Sequence, residues 1–321
     1  MANDHYVPQF YLKNFSPSGK KGRIWLYRRK LPAKLAGIKS VASDEDYYTM
    51  KADIQGVDKK QVDKFFQQME NSSRPIITKL LTASKIELSS DDREMLSMFI
   101  AFLANRTPLT QERLRKMHEA IATGFASRGA DKAEFIRRAK ENGFAGTDEE
   151  LEQWRQSFLE ADKHIHLEYQ PGETDDVFMG TALELAQDST PLIQNKQWHI
   201  LELTRPGVFV TSDNPVILPR IETQSLLSAI GFGRGSVLLS LSPTRCLLMN
   251  DSTFENKVLN VKHEKVIEIN ERIIAGAQNA VFANVESQDI EKAFNRTIPG
   301  ENTNVSIMMG LANPENEMLP S

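Results

Sequence analysis

The apolar residues of this chain change their period twice, and that change limits the folds open to it. Between about Asp58 and Asn195 they recur every three or four positions, as helices require. Val62, Phe65, Phe66 and Met69 lead on to Ile76, Ile77, Leu80 and Leu81. After Asp91 and Asp92 come Met95, Leu96, Phe99, Ile100, Phe102 and Leu103. That last helix is apolar nearly all round and belongs at the centre of a bundle. Pro108 opens a further helix reaching about Ser127, and Thr147-x-x-Glu150 is a capping box ahead of Leu151. A final helix is expected from near Asp175 to near Gln194. Pro75 and Pro191 are expected to start, kink or end their helices.

On either side of this block the pattern is that of strands. Arg23–Arg28 and Gly37–Ala42 precede it, closed by Asp44-Glu45-Asp46. Trp198–Thr204, Val208–Ser212, Ser236–Ser242, Arg245–Asn250 and Val281–Val285 follow it, with one helix at Glu264–Gln278. Arg205-Pro206-Gly207-Val208 suits a type II turn and Ser242-Pro243-Thr244-Arg245 a type I turn, each joining a hairpin. Segregated helices and strands indicate an α+β fold rather than a doubly wound one. The expected arrangement is one large domain over 1–321. It comprises a basic extended segment (1–50), the helical block (about 58–195), a strand-rich part with one helix (196–300) and a polar tail (313–321). The sheet is expected to be mainly antiparallel, with the N-terminal strands joining those of the C-terminal part.

A chain of 321 residues with 40% hydrophobic content buries a sizeable core without disulfides or structural metal. Its one cysteine, Cys246, lies among leucines and reads as core. The longest apolar run, Met95 to Ala104, is about half of what a bilayer crossing needs. The first residues lack the basic and apolar regions of a signal peptide. The expected setting is therefore cytoplasmic, with no membrane partner. Net charge is −4, yet residues 1–39 hold nine Lys/Arg against Asp4 alone, leaving that segment at +8 and the rest at −12. Such a patch attracts nucleic acid or nucleotide phosphates through residues such as Arg23, Arg28 and Arg29, or pairs with the acidic body of its own chain.

The stretch His5-Tyr6-Val7-Pro8-Gln9-Phe10-Tyr11-Leu12-Lys13-Asn14-Phe15 and the later Thr211-Ser212-Asp213-Asn214-Pro215-Val216 resemble the two hallmarks of a bacterial domain-of-unknown-function family. Weaker echoes are Tyr47-Tyr48, Glu70, Arg106-Thr107-Pro108 and Leu241-Ser242-Pro243, so the resemblance spans nearly the whole chain. It implies a bacterial origin and singles out residues, but it carries no activity with it.

Read chemically, His5 is a titratable imidazole beside apolar neighbours. Burial of Tyr6, Val7, Phe10, Leu12 and Phe15 would hold it in a defined place, suited to acid–base work or to a plain capping role. Pro215 biases Asn214 towards extended geometry, aiming Asp213 and Asn214 off a strand end as a catalytic carboxylate and a binding amide. The alternative is an Asx-turn that binds nearby amides. Arg106 closes the most apolar helix, as a favourable cation or as a guanidinium fork for phosphate. Glu70 is a further candidate, with Arg74 four residues on as its ordinary ion-pair partner. His164-x-His166-x-Glu168 has the alternation of strand-borne metal ligands, though solvated residues explain it too. Arg113 and His118 have a spacing similar to that of an all-helical ribonuclease superfamily. The Gly231-x-Gly233-x-Gly235 loop precedes a strand and so lacks the context of a dinucleotide fingerprint. Two readings follow. One is a hydrolase on a phosphate-bearing substrate, nuclease- or phosphodiesterase-like, with a divalent metal as candidate cofactor. The other is a non-catalytic ligand- or partner-binding protein whose motif residues form a structural polar network.

Overall fold

The N-terminal fifty residues lie in the body of the protein. The computed structural model describes residues 3–50, 58–114, 131–141, 147–153, 155–156, 173–204, 207–218, 232 and 235–297, and its architecture is α+β. Strand β1 (Asn3–His5) leads to the one-turn helix α1 (Gln9–Leu12), the hairpin β2 (Arg23–Arg28) and β3 (Leu31–Gly37), and β4 (Ser43–Glu45). β1 and β4 pair antiparallel with Asp4 opposite Asp44, so the acidic run is a strand and not only a closing loop. The second hairpin strand lies ahead of the expected Gly37–Ala42, because Ile38–Ser40 is a 3-10 turn. Pro32 is tolerated within β3 because β3 is a sheet edge.

The helical block contains α2 (Gln61–Leu80), α3 (Ser90–Asn105), a helical stretch at 108–114, α4 (Lys132–Glu141) and α5 (Glu173–Gln194). Ser89 caps α3 by accepting from the Asp92 amide at 3.1 Å, and α3 packs against both α2 and α5. The capping box forms: the Thr147 amide donates to Glu150 Oε2 at 2.8 Å and the Glu150 amide to Thr147 Oγ1 at 3.2 Å. Pro75 and Pro191, however, end neither helix; α2 and α5 run through them. Both prolines are exposed, as are Asn71 and Gln187, whose carbonyls lose their helical donors. Water can take over a bond that a buried helix would forfeit.

The remainder supplies β5 (Gln197–Leu203), β6 (Thr211–Ser212), β7 (Val216–Ile217), β8 (Val237–Ser242), β9 (Arg245–Asn250), β10 (Val258–Val261), helix α6 (His263–Gly276), β11 (Val281–Ala283) and helix α7 (Gln288–Arg296). One sheet has the order β10-β5-β9-β8-β7 and another β3-β2-β11-β6. The N-terminal strands therefore do join C-terminal ones, through β2 and β11. The β8–β9 hairpin is present, but the one expected between residues 198 and 212 is not, since β5 and β6 belong to different sheets. The amides of Phe209 and Val210 go instead to the Pro243 carbonyl and Asn270 Oδ1, which carries this stretch away from β5. β10, parallel to β5, and α7 were not foreseen: β10 is four residues long, and α7 buries only Ile290 and Phe294. One core joins the N-terminal segment, α2, α3 and one face of the five-stranded sheet; a second lies under α6 and α7. Val7, Tyr11, Leu12 and Phe15 are fully buried, Phe10 is buried and Tyr6 half-buried, as their apolar character demanded.

Candidate functional site

The two hallmark segments meet. Tyr11, inaccessible to water, donates its hydroxyl to the Ser240 carbonyl at 2.6 Å and lies 2.8 Å from Thr211 Oγ1. Asn14 Nδ2 donates to the Leu241 carbonyl at 3.1 Å. The α1 turn is thereby fastened to β6 and β8, because its aromatic body needs a core and its hydroxyl needs a partner there.

Arg106, 1% exposed, sits just past the end of α3. Its Nη2 donates to Glu70 Oε1 at 2.9 Å, its Nε donates to the Tyr6 carbonyl at 3.1 Å, and its guanidinium lies over the Phe66 ring. Glu70 thus pairs with Arg106 and not with Arg74, which lies over the Phe10 ring. Tyr47 donates to the Arg106 carbonyl and Tyr48 to the His5 carbonyl, while the Tyr48 amide donates to buried Asp4. His5 is half-buried. Its Nε2 is 3.4 Å from the Ile38 carbonyl and its Nδ1 3.5 Å from Gln9 Nε2. Burial holds the imidazole below its ordinary value, against the opposing effect of the Ile38 and Asn3 backbone groups and of Glu70 and Asp4. His5, Glu70, Arg106 and the tyrosine pair form one connected group.

Asp213 is held separately. Its Oδ1 accepts from the Gln278 amide at 3.0 Å and its Oδ2 from those of Asn279 at 2.6 Å and Ala280 at 3.0 Å. The carboxylate is therefore neither free at a strand end nor in a local Asx-turn; it braces the loop between α6 and β11. Desolvation pushes it up to about 6, against those amides and Arg29. Asn214 Nδ2 donates to the Gly276 carbonyl, ending α6 against the same segment. Arg29 grips this loop from its other side, donating to the carbonyls of Gln278, Ala277 and Thr297 and lying over the Phe294 ring. Arg29 is thus committed to its own chain. Arg28 is exposed beside the hairpin tip, and Arg23, at the opposite end of β2, donates to the Leu35 carbonyl.

A cavity of about 350 Å³ adjoins the tyrosine pair. Asp44, Glu45, Asp46 and Asp176 line it, and no Lys or Arg does so among the described residues, which disfavours phosphate there. A larger groove of about 1050 Å³ separates α6 from α7. Among the described residues no group of three or more His, Cys, Asp or Glu is placed to hold a metal. His164, His166, Glu168, His118, Gly231 and Gly233 lie outside the described residues. Cys246 is buried, and desolvation pushes its thiol up to about 12, as a core position requires.

The family model described as "Protein of unknown function (DUF4238)" matches residues 3–287. The chain belongs to that family. Comparison with curated proteins and with solved structures returns no match. The match covers the network from Asp4 to Ala280 and leaves outside it α7 and the Phe294 and Thr297 contacts of Arg29. The links Tyr11–Ser240, Arg29–Gln278 and Asp213–Asn279 escaped sequence reasoning because each joins positions over 200 or over 60 residues apart, which no local pattern encodes. Tyr47 and Tyr48 carried a signal, as paired aromatics beside an acidic run.

Proposed function

We propose that the chain is a non-catalytic binding protein whose motif residues hold the N-terminal segment on the sheet. What supports this reading is the employment of its two strongest charged candidates. Asp213 gives both oxygens to three backbone amides, and Arg106 is enclosed by Glu70, Phe66 and the Tyr6 carbonyl. A catalytic carboxylate or a phosphate clamp must come within hydrogen-bond reach of the substrate; both oxygens of Asp213 are occupied, and the one donor of Arg106 without a partner, Nη1, is buried away from the surface. The test pairs stability with turnover. Glu70→Ala leaves a buried guanidinium without its partner and should cost about 3 kcal/mol, while the wild type cleaves no RNA, DNA or nucleotide, with or without divalent metal. Unchanged stability in Glu70→Ala would sink the structural role, and turnover by the wild type would sink the non-catalytic one.

A second reading, a hydrolase on a phosphate-bearing substrate, draws on His5. It is half-buried, held below its ordinary value by burial and within the electrostatic influence of Glu70, a setting open to a general base. On that reading His5→Ala abolishes cleavage while the fold persists, since the imidazole's two contacts are long ones.

A further inference from the structure

We infer that the turn leading into β2, together with Lys39, is a docking surface for the phosphate backbone of nucleic acid. This inference rests on the binding reading above and supplies its partner. Gly19 and Gly22 adopt the left-handed φ values of +72° and +76° that bend Lys20-Lys21 into a tight turn, closed by the Arg23 amide on the Lys20 carbonyl at 3.1 Å. The Ile38 amide donates to the Gly22 carbonyl at 3.0 Å, which brings Lys39 to the same end of the hairpin. Lys20, Lys21, Arg23 and Lys39 are all exposed, and none makes an ion pair with a described residue. Glu45, opposite Asn3 in the β1–β4 ribbon, borders the patch, because Asn3 Nδ2 donates to the Lys39 carbonyl.

Of the cations in residues 1–39, Arg29 is spent on its own chain and Arg28 and Lys30 lie at the opposite end of the hairpin. Lys13 and Lys34 are exposed elsewhere, Lys34 opposite Leu26 within the hairpin, so four of the nine cations gather at this end. Four unpaired cations around a fixed turn suit successive phosphates of a polyanion. Among the described residues the exposed large apolar ones, Leu31, Phe65, Leu192, Phe254 and Ile267, are all outside this turn. Insertion into lipid would need an apolar face and a large protein interface an apolar centre; attraction to anionic headgroups by charge alone is what the vesicle comparison below separates. Phosphate contacts alone require neither. Recognition is therefore of backbone and not of base sequence.

The experiment titrates the full chain into end-labelled 20-nucleotide single-stranded DNA and 20-base-pair duplex and follows anisotropy. Binding should show no sequence preference. For duplex it should weaken about a hundredfold between 50 and 200 mM salt, as about four phosphate contacts require. Lys20→Glu/Lys21→Glu should weaken it at least about tenfold at 50 mM and flatten the slope of log affinity on log salt by about two. Lys85→Glu, an exposed cation between α2 and α3, should change little. Equal binding by wild type and the double variant would overturn the inference. So would an absence of binding at 50 mM by the folded wild type, or capture only by vesicles of phosphatidylserine. Cleavage of the labelled strand during the titration would defeat the non-catalytic reading while leaving this surface in place.

Discussion

Asp213 shows how residue identity and residue role part company. Its position before Asn214-Pro215 marked it as unusual, yet the sequence around it cannot reveal that its acceptors serve amides 65 to 67 positions away. Burial is the larger influence on its proton, raising the carboxyl from 3.8 to about 6 against the amides and Arg29. A raised carboxyl binds more protons in the folded than in the unfolded chain between those two values. Its contribution to stability therefore declines as pH rises through that window and is least favourable above it. Asp213→Asn removes the titration and leaves at least one buried amide without an acceptor, at a cost of about 1–3 kcal/mol. Melting curves of both proteins at pH 5 and pH 7.5 check this. The advantage of the wild type over the variant should be larger at pH 5, and an advantage that is constant or grows towards pH 7.5 contradicts the assignment. His5 was the opposite case: its apolar neighbours announced a held imidazole, and the partly buried ring beside Ile38 follows from them.

Among the elements, those with a long apolar period or a capping signature were legible. α3, the 147–150 box, β2, β9 and the β8–β9 hairpin fall where Asp91-Asp92, Thr147-x-x-Glu150, the Arg23–Arg28 run and Ser242-Pro243 place them. Short elements were not, because β10 and α7 carry too few apolar positions to show a period. Proline misled, since its effect depends on which side of a helix it faces. Pro75 is exposed and so is Asn71, the residue whose carbonyl lacks a donor. Pro75→Ala restores that bond without disturbing the core and should stabilise the protein by about 1–3 kcal/mol, part of it offset by the freer unfolded chain. Chemical denaturation measures this directly. A loss of stability would mean that the ring packs against something that its exposure denies.

For the molecule as a whole, the decisive link is between its first residues and its sheets. Deleting residues 1–15 removes the fully buried Val7, Tyr11, Leu12 and Phe15 from the larger core. At roughly 1.5–3 kcal/mol for each buried side chain, the loss is comparable with the entire stability of an ordinary domain. The truncated chain should lack a cooperative thermal transition by circular dichroism, and a transition matching that of the full chain would refute the claim. The α+β class was legible because helices and strands are segregated along the chain; the division into two larger sheets was not, because it depends on which strands pair across more than two hundred residues. That pairing has a temporal side. β2 lies between β3 and β11, with β11 joining it to β6, and β11 is Val281–Ala283. On the ribosome the β2–β3 hairpin is made early, but its inner edge stays open until some 250 further residues have been added. Throughout that interval the nascent chain carries an exposed strand edge of the kind that pairs with other chains. Release of the last strand from the exit tunnel, and not synthesis of the first, sets the moment at which this sheet can close.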